Sequence, residues 1–155
     1  MQPDDRELST TAPYDCFMGT WEGVCKTFNT EGEFIEESQV QIQANWVFSD
    51  LWHFREHFSN LFEFGEVTFE LDFQVTEKSC YASSDLLQIE GVQLTPTNYH
   101  FTIESQATQS IVYNTHYFIT PEKRRVITHK IKNGKTYVFQ IQDFIRTSIT
   151  VEPTH

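Results

Sequence analysis

The sequence predicts an all-β domain, an antiparallel up-and-down barrel of about eight to ten strands with a short helical turn near its N-terminus. Three observations predict it. Aromatic residues are abundant, with 14 Phe, 6 Tyr and 3 Trp, and such side chains suit pleated, half-buried surfaces. Segment after segment alternates apolar and polar residues at a period of two, unlike an amphipathic helix. The connections are short turn signals without helical crossovers, so the strands are antiparallel rather than parallel. At 155 residues the chain makes one domain with a substantial core. That many strands can close and leave room for a small ligand. A two-sheet sandwich is the alternative architecture.

Residues 1–13 are polar, carry Pro3 and Pro13, and read as a tail, as do 152–155; the barrel domain is 14–151. Tyr14 to Met18 is expected to make a helical turn that plugs one barrel end. The first strand runs from about Thr20 to Phe28, and Asn29-Thr30-Glu31-Gly32 turns the chain. The second strand sets Val40, Ile42, Ala44, Trp46 and Phe48 against Gln39, Gln41, Gln43 and Asn45. A third, Leu51 to Ser59, sets Trp52, Phe54 and Phe58 against His53, Arg55 and His57. Asn60 to Gly65 reads as a loop displaying Phe62 and Phe64. A fourth strand sets Val67, Phe69, Leu71, Phe73 and Val75 against Thr68, Glu70, Asp72, Gln74 and Thr76. Further strands are expected near Tyr81 to Glu90, Tyr99 to Glu104, Ser110 to Ile119 and Arg125 to Ile131. Asn133-Gly134 suits a type I′ hairpin turn, and Thr136 to Phe144 pairs back, with Ile145 to Val151 continuing it or forming one more strand.

Charge and cysteine content narrow the partners and setting. A net charge of -11, from 11 basic and 22 acidic side chains, repels phosphate backbones and anionic membranes, so nucleic acid and membrane are excluded as expected partners. The same charge serves solubility. Met1 to Pro13 has no apolar core and carries Asp4, Asp5 and Glu7, unlike a signal peptide. Cys16, Cys25 and Cys80 are odd in number and have no metal-site spacing. Free thiols in a reducing cytoplasm are the expectation. Cys25 shares the Trp21 and Gly23 face and reads as an inert packed thiol. The chain contains no phosphate-binding glycine loop and no persuasive Ser-His-Asp order.

The candidate ligand contacts come from two strands. His53, Arg55 and His57 project to one face, where Arg55 offers a planar fork for a ligand carboxylate; a solvated outer face is the competing reading. Glu56 lies among the aromatics opposite and, if inside, is a buried carboxylate in need of a partner. Tyr113 and Tyr117 share a face and offer an apolar wall with polar tips, or plain packing. His100, His116 and His129 sit on separate strands, and no metal is assigned to them.

The segment Phe17-Met18-Gly19-Thr20-Trp21-Glu22-Gly23 resembles the opening of calycin-superfamily barrels, which include lipocalins, fatty-acid-binding proteins and bacterial lipocalin-like families. The resemblance implies that Trp21 packs at the closed end with Arg146 over its indole, a structural pair. It covers seven residues and that Arg closely, and 17–151 loosely. The chain departs from secreted lipocalins in lacking their signal and disulfide pattern. It departs from fatty-acid-binding proteins because Glu33 to Phe48 alternates like a strand where their helical lid stands. The intracellular, lid-free branch is closer, and includes bilin lyases and haem-binding nitrobindin-like proteins. The latter use a His near the C-terminus as haem ligand; here the nearest expected interior His is His129, and His155 sits on a tail. The expected function is binding of a small hydrophobic or amphipathic ligand in the lumen. Two alternatives stay open: a bilin-lyase-like enzyme handling a tetrapyrrole, which the resemblance alone implies as a cofactor, and an interaction protein with a filled barrel that docks through Phe62 and Phe64. An oligomer is compatible with either.

Overall fold

The computed structural model describes residues 12–62 and 65–150. The tails at 1–11 and 151–155, with His155, and Phe64 of the loop lie outside the described residues. A short 3-10 turn, Asp15–Phe17, precedes ten strands: β1 Gly19–Phe28, β2 Phe34–Phe48, β3 Leu51–Leu61, β4 Gly65–Thr76, β5 Ser79–Ser83, β6 Leu87–Thr95, β7 Asn98–Ser105, β8 Ser110–Thr120, β9 Lys123–Lys132 and β10 Lys135–Ser148. Each pairs antiparallel with its sequence neighbour, and β1 pairs with β10 to close the barrel. Closure leaves no free sheet edge, and it replaces the sandwich alternative.

Three features differ from the expected plan. The loop expected at Asn60 to Gly65 is shorter, because β3 runs through Leu61 and β4 starts at Gly65, and Phe62 is half-buried rather than displayed. The segment near Tyr81 to Glu90 is two strands, because Ser84 N–H donates to the Leu87 carbonyl at 2.9 Å and Leu87 N–H donates to the Ser84 hydroxyl at 3.2 Å, closing a turn. On β2 a bulge between Trp46 and Phe48 breaks the alternation, so Phe48, expected with the inward set, is 66% exposed.

The 3-10 turn closes one end. Tyr14 and Phe17 are buried, and Tyr14 holds the plug with two hydrogen bonds: its N–H donates to the Tyr99 hydroxyl at 3.1 Å and its own hydroxyl donates to the Lys78 carbonyl at 2.8 Å. Trp46 Nε1 donates to Asp15 at 2.7 Å. Beneath the plug lies an aromatic layer in which Trp52 stacks on Phe73 with centroids 4.5 Å apart, and Phe17 meets Tyr99 and Phe118 edge-on at 4.8 and 4.9 Å.

Trp21 anchors this end. Its Nε1 donates to the Phe17 carbonyl at 2.9 Å. The Arg146 guanidinium lies 5.1 Å from its ring and donates to the Met18 and Pro121 carbonyls at 3.0 and 2.8 Å. The position two residues before the indole has to be Gly: Gly19 has φ +115°, and a Cβ there would collide with the Ser148 carbonyl and press on Arg146 Cδ. A second guanidinium, Arg124, lies nearer still, 4.5 Å from the Trp21 ring and 5.2 to 5.3 Å from the rings of Phe17, Phe118 and Phe144.

Trp21→Ala removes a fully buried indole and strips both guanidiniums of a shared cation–π partner. A loss of about 3–5 kcal/mol in urea unfolding is expected; a loss below about 1 kcal/mol would show that the closed end does not depend on Trp21.

Candidate functional site

Beyond the aromatic layer the interior is not filled. A cavity of about 560 Å³ occupies the other end of the barrel, within the roughly 300–1,000 Å³ range of small-molecule sites. It reaches the loops that carry Leu86, Ala107 and Thr108. Because side chains alternate in and out along a strand, the strands that line it, β3, β4 and β6 to β10, present alternate residues to its wall.

The wall is divided by strand. On β3, β4, β6 and β7 it is apolar: Phe54, Phe58, Val67, Phe69, Leu71, Ile89 and Ile103. On β8, β9 and β10 it is largely polar: Asn114, Thr128, Lys130, Lys132, Gln140 and Gln142. Most of this polar strip is deeply buried, with Thr128 and Gln140 at 2%, Gln142 at 5% and Lys130 at 8% exposure. Part of it is internally bonded. The Thr128 hydroxyl donates to Asn114 Oδ1 at 2.6 Å, and Gln140 Nε2 donates to the Thr27 hydroxyl at 3.1 Å. Gln142 Oε1 is buried without a hydrogen-bond partner, which native interiors rarely tolerate.

Glu56 is the carboxylate in the cavity wall, standing on the apolar side. Burial pushes its carboxyl up to about 7, against the opposing pull of Arg124 and Lys130. Arg124 itself is buried with no hydrogen bond to any guanidinium nitrogen. Burial lowers it to about 10, partly countered by Cys16 and Glu56, so it stays cationic at neutral pH. The thiols are protonated there too: burial raises Cys16 to about 11 and Cys25 and Cys80 to about 12, and all three are free.

Of the six residues singled out as ligand contacts, Glu56 alone lines the lumen. His53, Arg55 and His57 alternate with the inward Phe54, Glu56 and Phe58, and stand outside. There His53 bridges Asp72 at 2.6 Å and Glu70 at 2.8 Å, Arg55 sits opposite Glu70 in the register, and His57 bonds Thr68 at 2.7 Å. Tyr113 and Tyr117 are also outside; Tyr113 stacks on His100 at 5.7 Å and meets His129 at 5.1 Å. His129 therefore faces out, not into the interior as expected, while His116 is buried inside, held neutral by burial and by Arg124. The three strand histidines do not converge, and no group of three or more metal-ligating side chains is assembled among the described residues. Among those residues no helix is long and apolar enough to cross a membrane.

The lumen residues Lys130, Lys132, Gln140 and Gln142 were not among the candidates. A signal for two of them exists: if Arg146 reaches Trp21, a period of two along β10 turns Phe144, Gln142 and Gln140 inward as well.

No protein-family model and no curated protein matches the sequence. Solved structures share its fold. A protein of unknown function from the DUF3598 family of Nostoc punctiforme superposes with a TM-score of 0.72 at 13% identity, over 86% of this chain and 48% of its own; this chain thus spans about half the length of that one. The S-type phycobiliprotein lyase CPES from Guillardia theta matches over 100% of both chains, with a TM-score of 0.66 and 13% identity. Rv2717c of M. tuberculosis matches over 95% of this chain and 99% of its own, with a TM-score of 0.60 and 10% identity. What these structures share with this chain is the fold, a closed antiparallel up-and-down β-barrel.

Two outcomes follow from the outer face and the thiols. At His53 burial opposes the charge, but the hydrogen bonds to Asp72 and Glu70 outweigh it and raise the imidazole above its ordinary 6.5. The stabilisation is complete below that ordinary value and is lost as pH rises through the raised one. His53→Asn is therefore expected to lower the urea midpoint more at about pH 5.5 than at about pH 9, and an equal effect at both would rule out a charged His53 pair. With an aromatic disulfide reagent at about pH 8, the buried thiols of Cys25 and Cys80 should react on the order of a hundredfold more slowly than after unfolding; more than one fast-reacting native thiol would contradict their burial.

Proposed function

We propose that the protein binds one small amphipathic molecule in the barrel lumen, its apolar body against β3 to β7 and its polar part against β8 to β10. The observation that carries this reading is the cavity of about 560 Å³ with its wall split between apolar and polar strands. Burying a strip of amide, hydroxyl and ammonium groups opposite an aromatic wall is unfavourable unless something pairs with them, and Gln142 Oε1 has no partner in the protein. A filled barrel working through its surface is a poorer account, since the interior is open. The free thiols support a reducing, cytoplasmic setting.

A tetrapyrrole is the second reading within the same class. It is favoured by the full-length likeness to a phycobiliprotein lyase and by chemistry, because a bilin combines a conjugated apolar body with carboxylate arms. On that reading the lumen holds the pigment, and the protein is a carrier or a lyase-like enzyme acting on it.

Native mass spectrometry with an absorption spectrum, on protein isolated from its own host without refolding, separates the readings. Extra mass with visible absorption identifies a pigment, and extra mass without colour a lipid-like amphiphile. Bare protein that also fails to take up an apolar fluorophore would overturn lumen binding. Val112 lines the cavity, so Val112→Trp puts an indole into the ligand space. It is expected to weaken fluorophore uptake by about tenfold or more while the strand circular-dichroism signal is kept.

A further inference from the structure

The distribution of charge inside the barrel narrows the ligand. Acidic and basic side chains at inward positions of the lumen end are Glu36 on β2, Glu56 on β3, Lys130 on β9 and, exposed at the rim, Lys132 on β9; the phenol of Tyr137 on β10 also lines the cavity. Glu36 accepts a hydrogen bond from Asn60 Nδ2 at 3.2 Å and does not line the cavity. Arg124, the other inward cation of β9, is committed to the aromatic end. The cavity wall itself thus combines two ammonium groups with one carboxylate.

The long-range field agrees. The β9–β10 hairpin holds seven of the 11 basic residues of the chain, Lys123, Arg124, Arg125, Lys130, Lys132, Lys135 and Arg146, against Asp143 as its acid. Four of these, Lys123, Arg124, Arg125 and Arg146, lie at the closed end, and three, Lys130, Lys132 and Lys135, lie towards the lumen end of the hairpin, where they favour an anion on the polar wall.

We infer that the lumen is a proton-coupled anion site: it takes an amphiphile with a singly charged anionic head group, seats that head by Lys130, and protonates Glu56 from solvent as the ligand enters. This rests on the lumen-binding reading above. Glu56 and Lys130 line one cavity, and the ammonium group of Lys130 favours the ionised Glu56. An anion brought into the same cavity is a like charge for Glu56 and competes with it for the ammonium group. Both effects favour the protonated carboxyl, which has an O–H to donate to the ligand. By linkage, the form of the protein with Glu56 protonated binds the anion more tightly.

The surroundings of Glu56 leave it as the group that titrates. From β4 it faces Phe69, its register partner, and from β2 Ile42. Cys25 on β1 is neutral, its thiol raised by burial to about 12. His116 on β8 is kept neutral, and Gln140 and Gln142 on β10 carry no charge. Lys130 and Arg124 on β9 supply the positive charge. With Glu56 at about 7, anion affinity is greatest below that pH and falls as pH rises above it.

The probes are anilinonaphthalene sulfonate, ionised at every working pH, and its uncharged parent N-phenylnaphthylamine. Both are titrated fluorimetrically into the whole chain between about pH 6 and about pH 9, where one coupled proton gives up to about tenfold per pH unit. Wild type is expected to bind the sulfonate more tightly than the parent at the acid end, and to lose about tenfold or more of that affinity by the alkaline end; the parent should show no slope. Glu56→Gln should keep the acid-limit affinity for the sulfonate and abolish the slope. Lys130→Met should erase the preference for the sulfonate while still binding the parent, which also reports that the variant is folded. A flat sulfonate profile in wild type, a slope that survives Glu56→Gln, or a sulfonate preference that survives Lys130→Met would each overturn the inference. Binding of the parent alone refutes anion recognition and leaves lumen binding standing. Failure of wild type to bind either probe refutes both.

Discussion

A guanidinium without a hydrogen bond, enclosed by four aromatic rings, decides how this barrel is built. Arg124 is buried, none of its three nitrogens has a partner, and Trp21, Phe17, Phe118 and Phe144 surround it. An isolated buried charge is strongly unfavourable. What offsets it here is the face of each ring, a desolvated cation–π contact being worth about 2 kcal/mol or more, together with the electrostatic pull of Glu56. The box requires Phe17 to be in place, so the 3-10 turn must dock, and Tyr14 and Trp46 tie that turn to β7 and β2. One end of the barrel is therefore solid.

The same residue sets what the other end contains. Seating Arg124 inward fixes the parity of β9, and period two then carries Val126, Thr128, Lys130 and Lys132 inward. Two of those are ammonium groups. On the far side of the barrel, Trp52 must join the aromatic layer, and the parity of β3 brings Phe54, Glu56 and Phe58 in behind it. A lumen with a cationic wall facing an aromatic wall that bears one carboxylate is thus a consequence of how the closed end is packed. Ten strands enclose more volume than these side chains fill, and the unfilled part is the cavity.

The outer face of β3 and β4 shows what the exterior does with comparable residue types. His53, Arg55 and His57 lie over Glu66, Thr68, Glu70 and Asp72, forming cross-strand polar pairs in contact with solvent. Such pairs are individually weak, but they place opposite charges in register. A histidine and arginine cluster beside aromatic alternation is therefore compatible with either face of a strand, and its chemistry differs completely between the two: outside it is a surface ion-pair set, inside it would have been a ligand clamp.

What the sequence determined by itself is the local geometry. Alternation over β1 to β4, the Asn133-Gly134 turn, and the Gly19-x-Trp21 opening with Arg146 each depend on short-range sterics: the pleat, a positive φ, and a glycine whose Cβ would strike the Ser148 carbonyl. These are legible because neighbouring residues alone dictate them. The tertiary structure decided which face of each strand is the inside. On β9, Arg124, Val126, Thr128 and Lys130, with Lys132 at the rim, alternate with Lys123, Arg125, Ile127, His129 and Ile131; hydrophobicity favours the second set, yet the first faces the interior. On β8 the tyrosines went out while Asn114 and His116 went in. Strand pairing has a period of two, so a shift of one residue exchanges the faces completely. The choice between them is made only when β1 meets β10 and the aromatic box around Arg124 closes.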